Sequence, residues 1–245
     1  MVNLVRRVAR NPLGAVNRVA PVLRVGTVLP LKRIIQLYGR TDKLSHGYDR
    51  YYVRHLSSRR LSAMRVLEIG VGGYKRPRPG GSLAVWRDYL CRSRIVGLDI
   101  SDKNVRLGRR VGFVRGDQAD PAALNQVIEA LGGPPDLVVD DGSHLDTHAW
   151  ASFRHLFPLM PPGSVYVVED LHTSYWESFG GSIPAKGSTA IGLAKVLVDD
   201  VQAGDVTYVQ HPGWGPRPPI DTAGVAEVHV YPGILFVIKS ETAAS

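Results

Sequence analysis

Residues 136–170 read DLVVDDGSHLDTHAWASFRHLFPLMPPGSVYVVED, and their hydrophobic pattern changes period twice. Asp136 to Asp141 is a short apolar run, rich in valine and closed by acids, which predicts a buried strand. The residues after it carry apolar positions at helical spacing, with Asp146 or Thr147 as the expected N-cap and Pro161-Pro162-Gly163 as the stop. Ser164 to Asp170 predicts a second buried strand. Strand, helix and strand in this order make one βαβ unit, and a parallel sheet follows from it.

The same alternation extends toward the N-terminus. RVLEIG (65–70), RIVGLDI (94–100) and VGFVRGD (111–117) read as strands, and SLAVWRDYLCR and PAALNQVIEALGG have helical spacing. Largely apolar strands imply a sheet covered on both faces. The tail VAEVHVYPGILFVIKS departs from the alternation: two β-rich runs joined by Pro232-Gly233 predict an antiparallel hairpin. The expected fold is therefore α/β, doubly wound, with a mostly parallel seven-stranded sheet ending in that hairpin. By fold analogy this is the Rossmann-like arrangement of class I methyltransferases rather than of dinucleotide-binding domains. SFGGSIPAKGS, within 171–200, is expected to be a mobile loop over the site.

The formal charge of +8 is unevenly placed. Residues 1–40 hold eight bases and no acid, while the remaining 22 bases balance the 22 acids. The expected organisation is a basic, partly helical arm over 1–40 and one catalytic domain over 41–245. Val2 to Arg10 and LPLKRIIQLYGR both have amphipathic spacing. The plainer use of the arm is packing on the domain or on a second subunit, and a homo-oligomer, a dimer first, is expected. Peripheral contact with an anionic membrane is the rival use; nucleic-acid binding is not expected, because the body lacks a second basic patch with interleaved aromatics. No apolar run suits a transmembrane span, prolines and arginines interrupt any signal-like segment, and the single Cys91 excludes an intrachain disulfide, so a cytoplasmic protein is the default.

The strand ends carry the chemistry. In a doubly wound sheet the carboxyl ends of neighbouring strands converge on one crevice. Gly70, Gly72 and Gly73 follow the first strand and permit a tight turn; Asp99 ends the second, placed to accept hydrogen bonds from ribose hydroxyls; Asp117 and Gln118 end the third, suited to an adenine edge. The plainer reading of Asp99 before Ser101 is a turn initiator. Glu68 would sit beside a cationic cofactor, with Asp140 finishing its strand next to it. No Gly-Lys-Ser/Thr phosphate cradle is present, so an adenosine cofactor without a pyrophosphate fits, S-adenosylmethionine first.

Asp141 ends the fourth strand, and Glu169 and Asp170 end the fifth. Three carboxylates in one small volume repel one another unless a cation joins them. All-oxygen ligands favour a hard ion, Mg²⁺ first and Mn²⁺ next; caps and arginine pairs are the plainer reading. His144 stands beside this group as a candidate base, with His148 and His172 as runners-up. An alcohol of pKa near ~15.7 lies roughly 12 kcal/mol beyond an ordinary histidine at ~6.5, so a histidine acts here only with the cation's help. Tyr175 and Trp176 offer a wall for a sugar ring, or core packing.

TDKLSHGYDRYY, VLEIGVGGY, SLAVWRDYL, IVGLDISDK, GDQAD, DDGSH and VEDLHTSYW together resemble the metal-dependent sugar O-methyltransferases of macrolide biosynthesis, of the mycinamicin and tylosin type, from Thr41 to about Trp176. The resemblance implies S-adenosylmethionine as donor, Asp141, Glu169 and Asp170 as Mg²⁺ ligands, and His144 as base. It also implies that Lys43 and Tyr48 close over the cofactor; Ser101, just beyond Asp99, is a further candidate for cofactor binding. The compact length is similar to the mycobacterial methylmannose polysaccharide branch, so the expected acceptor is a mannoside or other saccharide hydroxyl, with a macrolide or other natural-product sugar as the alternative. The rivals of other classes are a nicotinamide-dependent oxidoreductase or epimerase and a non-catalytic membrane-associated protein.

Overall fold

The computed structural model describes residues 29–39, 41–72, 80–203 and 224–241. Its sheet contains β1 (Arg65–Ile69), β2 (Arg94–Asp99), β3 (Val111–Arg115), β4 (Leu137–Asp140), β5 (Val165–Val168), β6 (Val225–Tyr231) and β7 (Ile234–Lys239). The order is β3-β2-β1-β4-β5-β7-β6. The first five strands are parallel, and β7 runs antiparallel to both β5 and β6. This is the class I methyltransferase sheet expected from the tail hairpin.

Six α-helices complete the described chain: α1 (Leu31–Tyr38), α2 (Asp49–Leu56), α3 (Gly81–Tyr89), α4 (Pro121–Leu131), α5 (Asp146–Leu156) and α6 (Ala190–Ala203). Alternation along each strand divides the core. Val66, Ile95, Val139 and Val167 face one side with α1, α2 and α3; Leu67, Val96, Val138 and Tyr166 face the other with residues of α4, α5 and α6. These four central strands, β1, β2, β4 and β5, are thus apolar on both faces, as buried parallel strands require.

α3 is buried along its whole length because the sheet covers one side and α1 the other. Its Arg87 and Asp88 meet Tyr38 of α1: Arg87 Nη2 donates to the Tyr38 hydroxyl at 2.7 Å, and that hydroxyl donates to Asp88. Residues 31–38 of the basic arm therefore belong to the core, in line with its plainer use. The expected helix at 2–10 lies outside the described residues.

One expectation changes. Asp146 does not cap its own helix, whose N-cap is Leu145 without a side-chain bond. Its Oδ1 instead accepts from the Ala190 N–H at 2.8 Å and from Ser174 Oγ at 3.1 Å, so it stabilises the start of α6 in trans. A carboxylate serves any helix N-terminus that folding brings to it. The stretch expected as a mobile loop is exposed over most of its length but tethered by its backbone, Gly181 N–H donating to Trp176 O and Ser182 N–H to Ser174 O, and the buried Thr189 follows it. Thr189 Oγ1 accepts from Gly192 N–H at 2.9 Å and starts α6, a helix the strand-and-helix reading did not anticipate. No helix among the described residues is long and apolar enough to cross a membrane.

Candidate active site

The register places the acids. Glu68 pairs with Val139 across β1 and β4, and Val139 with Val167 across β4 and β5. Two residues on in β4 and β5, Asp141 and Glu169 follow on the same face, since side chains alternate with period two. Glu68, Asp141 and Glu169 thus converge on the α1–α3 face. Asp140, one residue out of phase, points to the α4–α5 face.

At the front lies Lys43, fully buried. Its Nζ donates to Glu169 Oε1 at 2.7 Å and Asp141 Oδ2 at 3.2 Å, and stands 3.6 Å from Glu68 Oε1. The rings of Tyr52 and Trp86 wall the ammonium at 5.8 and 5.9 Å, and the Tyr52 hydroxyl donates to Glu169 Oε1. Burial alone would push Lys43 down, but Asp141, Glu169 and Glu68 together hold its pKa well above the usual lysine range. Burial pushes Glu68 and Glu169 each up to about 7, against the pull of Lys43. Asp141, 21% exposed at the cleft wall, is raised by the same burial and also opposed by Lys43.

Asp170 should point backward by parity, yet it turns to the front. Its backbone is left-handed, φ 55°, as is that of His144, φ 56°, and these are the two such non-glycine residues in the described chain. Strained backbone of this kind persists where the surroundings over-determine it. Asp170 Oδ1 is 2.9 Å from the Tyr48 hydroxyl and 3.3 Å from His46 Nδ1, and Oδ2 lies 3.7 Å from His144 Nε2. The Tyr48 hydroxyl also reaches the Gly233 carbonyl at 2.9 Å. A Cβ at Gly233 would stand 2.4 Å from that hydroxyl, so the hairpin turn needs glycine there. One ligand atom each from Asp141, His144 and Asp170 lie within 4.8 Å of one another. Glu169 faces inward to Lys43 and Tyr52 instead.

Beside this group opens a cleft of about 640 Å³, lined among others by Gly70, Gly72, Asp99, Asp117, Gln118 and Asp141, with His144 at its end. Gly70 takes φ +84°, and a Cβ there would fall 2.0 Å from the Asp141 carbonyl oxygen, so its glycine lets β1 and β4 close up beneath the cleft. Asp99 Oδ2 accepts from Val71 N–H at 3.1 Å and Oδ1 from Ser101 N–H at 2.9 Å, which fixes the carboxylate at the wall. Gln118 spans to Asp140, with Nε2 donating to Oδ1 at 3.0 Å, while its Oε1 accepts from Ser143 N–H at 2.9 Å.

Several expected residues therefore stand behind the cleft wall. Lys43 and Glu68 lie beneath the carboxylates, Tyr48 secures Asp170, and Asp140 is buried on the opposite face, accepting from Gln118, Ser152 and Tyr166. Burial raises Asp140, and those three hydrogen bonds oppose the shift. Ser101 meets the cleft through Asp99. Tyr175 and Trp176 are 41% and 51% exposed, and Trp176 sits 4.9 Å from the His172 ring and 6.0 Å from Phe179, whose ring is 6.3 Å from His144. Thr41, Asp42, Ser45, Ser143 and His148 also line the cleft. Tyr52 and His46 were not singled out from sequence, although Tyr48 and Tyr52, four residues apart, share one face of a helical turn.

The donor set suits a hard divalent cation: carboxylate oxygens dominate, and the inner cluster sets one ammonium against three acids. No family model matches the chain. The 8-demethyl-8-alpha-L-rhamnosyl tetracenomycin-C 2'-O-methyltransferase of Streptomyces olivaceus is 42% identical over 197 residues, which cover 79% of this chain and 50% of that protein. The demethylmacrocin O-methyltransferase of Streptomyces fradiae is 43% identical over 199 residues, 79% of this chain and 49% of the relative. The chain thus spans about half the length of the curated relatives it matches. Among solved structures, the MycE methyltransferase of the mycinamycin pathway, in complex with Mg, SAH and Mycinamycin VI, superposes with a TM-score of 0.76 and 37% identity over 86% of this chain and 54% of that one.

Proposed function

We propose, on the premise that 79% of this chain is homologous to sugar O-methyltransferases of macrolide and tetracenomycin pathways, that it transfers a methyl group from S-adenosylmethionine to a sugar hydroxyl with a divalent cation, Mg²⁺ first. The observation that carries the reading is the convergence of one cleft with Asp141, Asp170 and His144 at the carboxyl edge of the sheet, Glu169 standing just behind them on Lys43. The MycE complex supports both the cofactor and the ion.

Asp141, Asp170 and Glu169 would hold the cation. When bound, it supplies a Lewis acid that orients and polarises the acceptor hydroxyl. The remaining work falls to the chain. Gly70 and Gly72 would leave room for the cofactor, Asp99 would accept from its ribose, and Asp117 with Gln118 would flank its base, all five lining the cleft. His144 Nε2, 3.7 Å from Asp170 Oδ2, receives the hydroxyl proton as the oxygen attacks the methyl carbon and the carbon–sulfur bond breaks, its electron pair passing to sulfur to leave neutral S-adenosylhomocysteine.

The acceptor is the sugar of a glycosylated natural product rather than a mannoside of a polysaccharide. The named relatives act on rhamnosyl tetracenomycin and demethylmacrocin, and Leu145, Tyr175, Trp176 and Ile183 are exposed hydrophobic side chains of the kind an apolar aglycone would meet. The mannoside expectation has no comparable support.

Labelled S-adenosylmethionine supplied with a macrolide or polyketide glycoside should yield a methylated product in Mg²⁺ and none after EDTA. Full turnover in EDTA removes the metal from the reaction. His144→Ala should lose about 10²–10⁴-fold in turnover while still binding the ion by calorimetry. Loss of metal binding in that variant makes His144 a ligand and overturns its role as base.

A further inference from the structure

Lys43 ties two sites together. Its ammonium contacts Asp141 and Glu169, both proposed cation holders, while Thr41, Asp42 and Ser45 on the same segment line the cofactor cleft. The segment is a compact turn: His46 N–H donates to Asp42 O at 3.1 Å and Tyr48 N–H to Lys43 O at 2.8 Å. Lys43 and the cleft-lining residues thus belong to one hydrogen-bonded turn.

A place for a displaced Lys43 ammonium exists. Both carboxylate oxygens of Glu68 are buried with no close, well-aligned hydrogen bond, the Ser82 and Trp86 side chains giving only looser support, and the nearer oxygen stands 3.6 Å from Lys43 Nζ. Lys43 is thus fully engaged by Asp141 and Glu169 and under-engaged with Glu68. A cation taking the oxygens of Asp141 and Glu169 would repel the ammonium and leave Glu68 as its partner.

We infer that Lys43 is a positioning residue, an internal counter-ion that competes with the divalent cation for Asp141 and Glu169 and shifts onto Glu68 as the cation binds. Metal occupancy is thereby linked to the 41–48 wall of the cofactor cleft. The inference rests on the metal-dependent reading above. Without metal, Lys43 keeps the acids collected and the fold intact. With metal, its retreat toward Glu68 resets Thr41, Asp42 and Ser45, a coupling that is reciprocal by linkage.

The test is calorimetric titration of Mn²⁺ and of Mg²⁺ into the full chain and into Lys43→Met, with hydrogen–deuterium exchange of the 43–48 amides in the wild type with and without Mg²⁺. Lys43→Met should bind the ion about tenfold tighter or more, because a repelling charge at contact distance is gone. Exchange at 43–48 should change on adding Mg²⁺ alone. Metal affinity in Lys43→Met equal to or weaker than wild type overturns the competition. If that variant does not fold, unchanged exchange at 43–48 in metal-bound wild type overturns it instead. A wild type that binds no divalent cation overturns the metal-dependent reading, and this inference with it.

Discussion

Asp140 and Asp141 leave the same strand on opposite faces and are held in opposite ways. Asp140 is buried among neutral donors: the Gln118 amide, the Ser152 hydroxyl at 2.7 Å and the Tyr166 hydroxyl at 3.2 Å. Asp141 is held by a charge, the Lys43 ammonium, in company with two further acids. Neutral hydrogen bonds fixed in a packed core have no competitor that solvent can deliver, so the Asp140 side reads as scaffold. An ion pair can exchange one cation for another, so the Asp141 side reads as chemistry. Two acids adjacent in sequence thus differ in role through the parity of the strand.

The largest effect should separate the two outright. Asp141→Asn is expected to lower methyl transfer about a thousandfold, as several kcal/mol of charge stabilisation disappear, while the melting temperature holds or rises because a crowded charge is gone. Asp140→Ala should do the reverse to stability. It strands three buried donors and is expected to cost about 3 kcal/mol, read by urea unfolding. Comparable losses of stability in both variants would erase the distinction.

A smaller effect follows from proton linkage on the front face. Glu68 and Glu169 are pushed up to about 7 by burial, and in the unfolded chain glutamates titrate near ~4.3. Between these values the folded chain holds more protons than the unfolded one. Their contribution is therefore fully present below about pH 4 and is lost as pH rises through about 7. In EDTA the melting temperature should fall over that window, and Mg²⁺ should restore it above pH 7 by binding the ionised acids. A metal-free melting temperature that rises from pH 5 to pH 8 would break the comparison. The finest test is Ser152→Ala, which removes one of Asp140's donors. It is expected to cost about 1.5 kcal/mol and to leave turnover within about twofold.

Much of this was legible before any coordinates. The valine-rich runs ending in DD, ED and GLD predict parallel strands whose carboxyl ends converge, and the Pro-Gly hairpin predicts the antiparallel closure. α6 had a readable start in Thr189, whose Oγ1 accepts from Gly192 N–H, but the glycine-rich stretch before it masked the signal. Asp146 stands where an N-cap is expected, and only the fold shows that the N-terminus it serves belongs to another helix.

Sequence alone determined the sheet, its chemical edge and the acids on that edge, because alternation and strand-end placement act over a few residues. Tertiary structure decided which acids meet. Lys43 reaches Asp141 and Glu169 across 98 and 126 residues, a separation no local pattern encodes. Asp170 joins the front only because its backbone takes φ 55°, against the parity its strand would impose. Such contacts depend on the whole chain closing around a buried charge, so they exist in the folded molecule and in no segment of it.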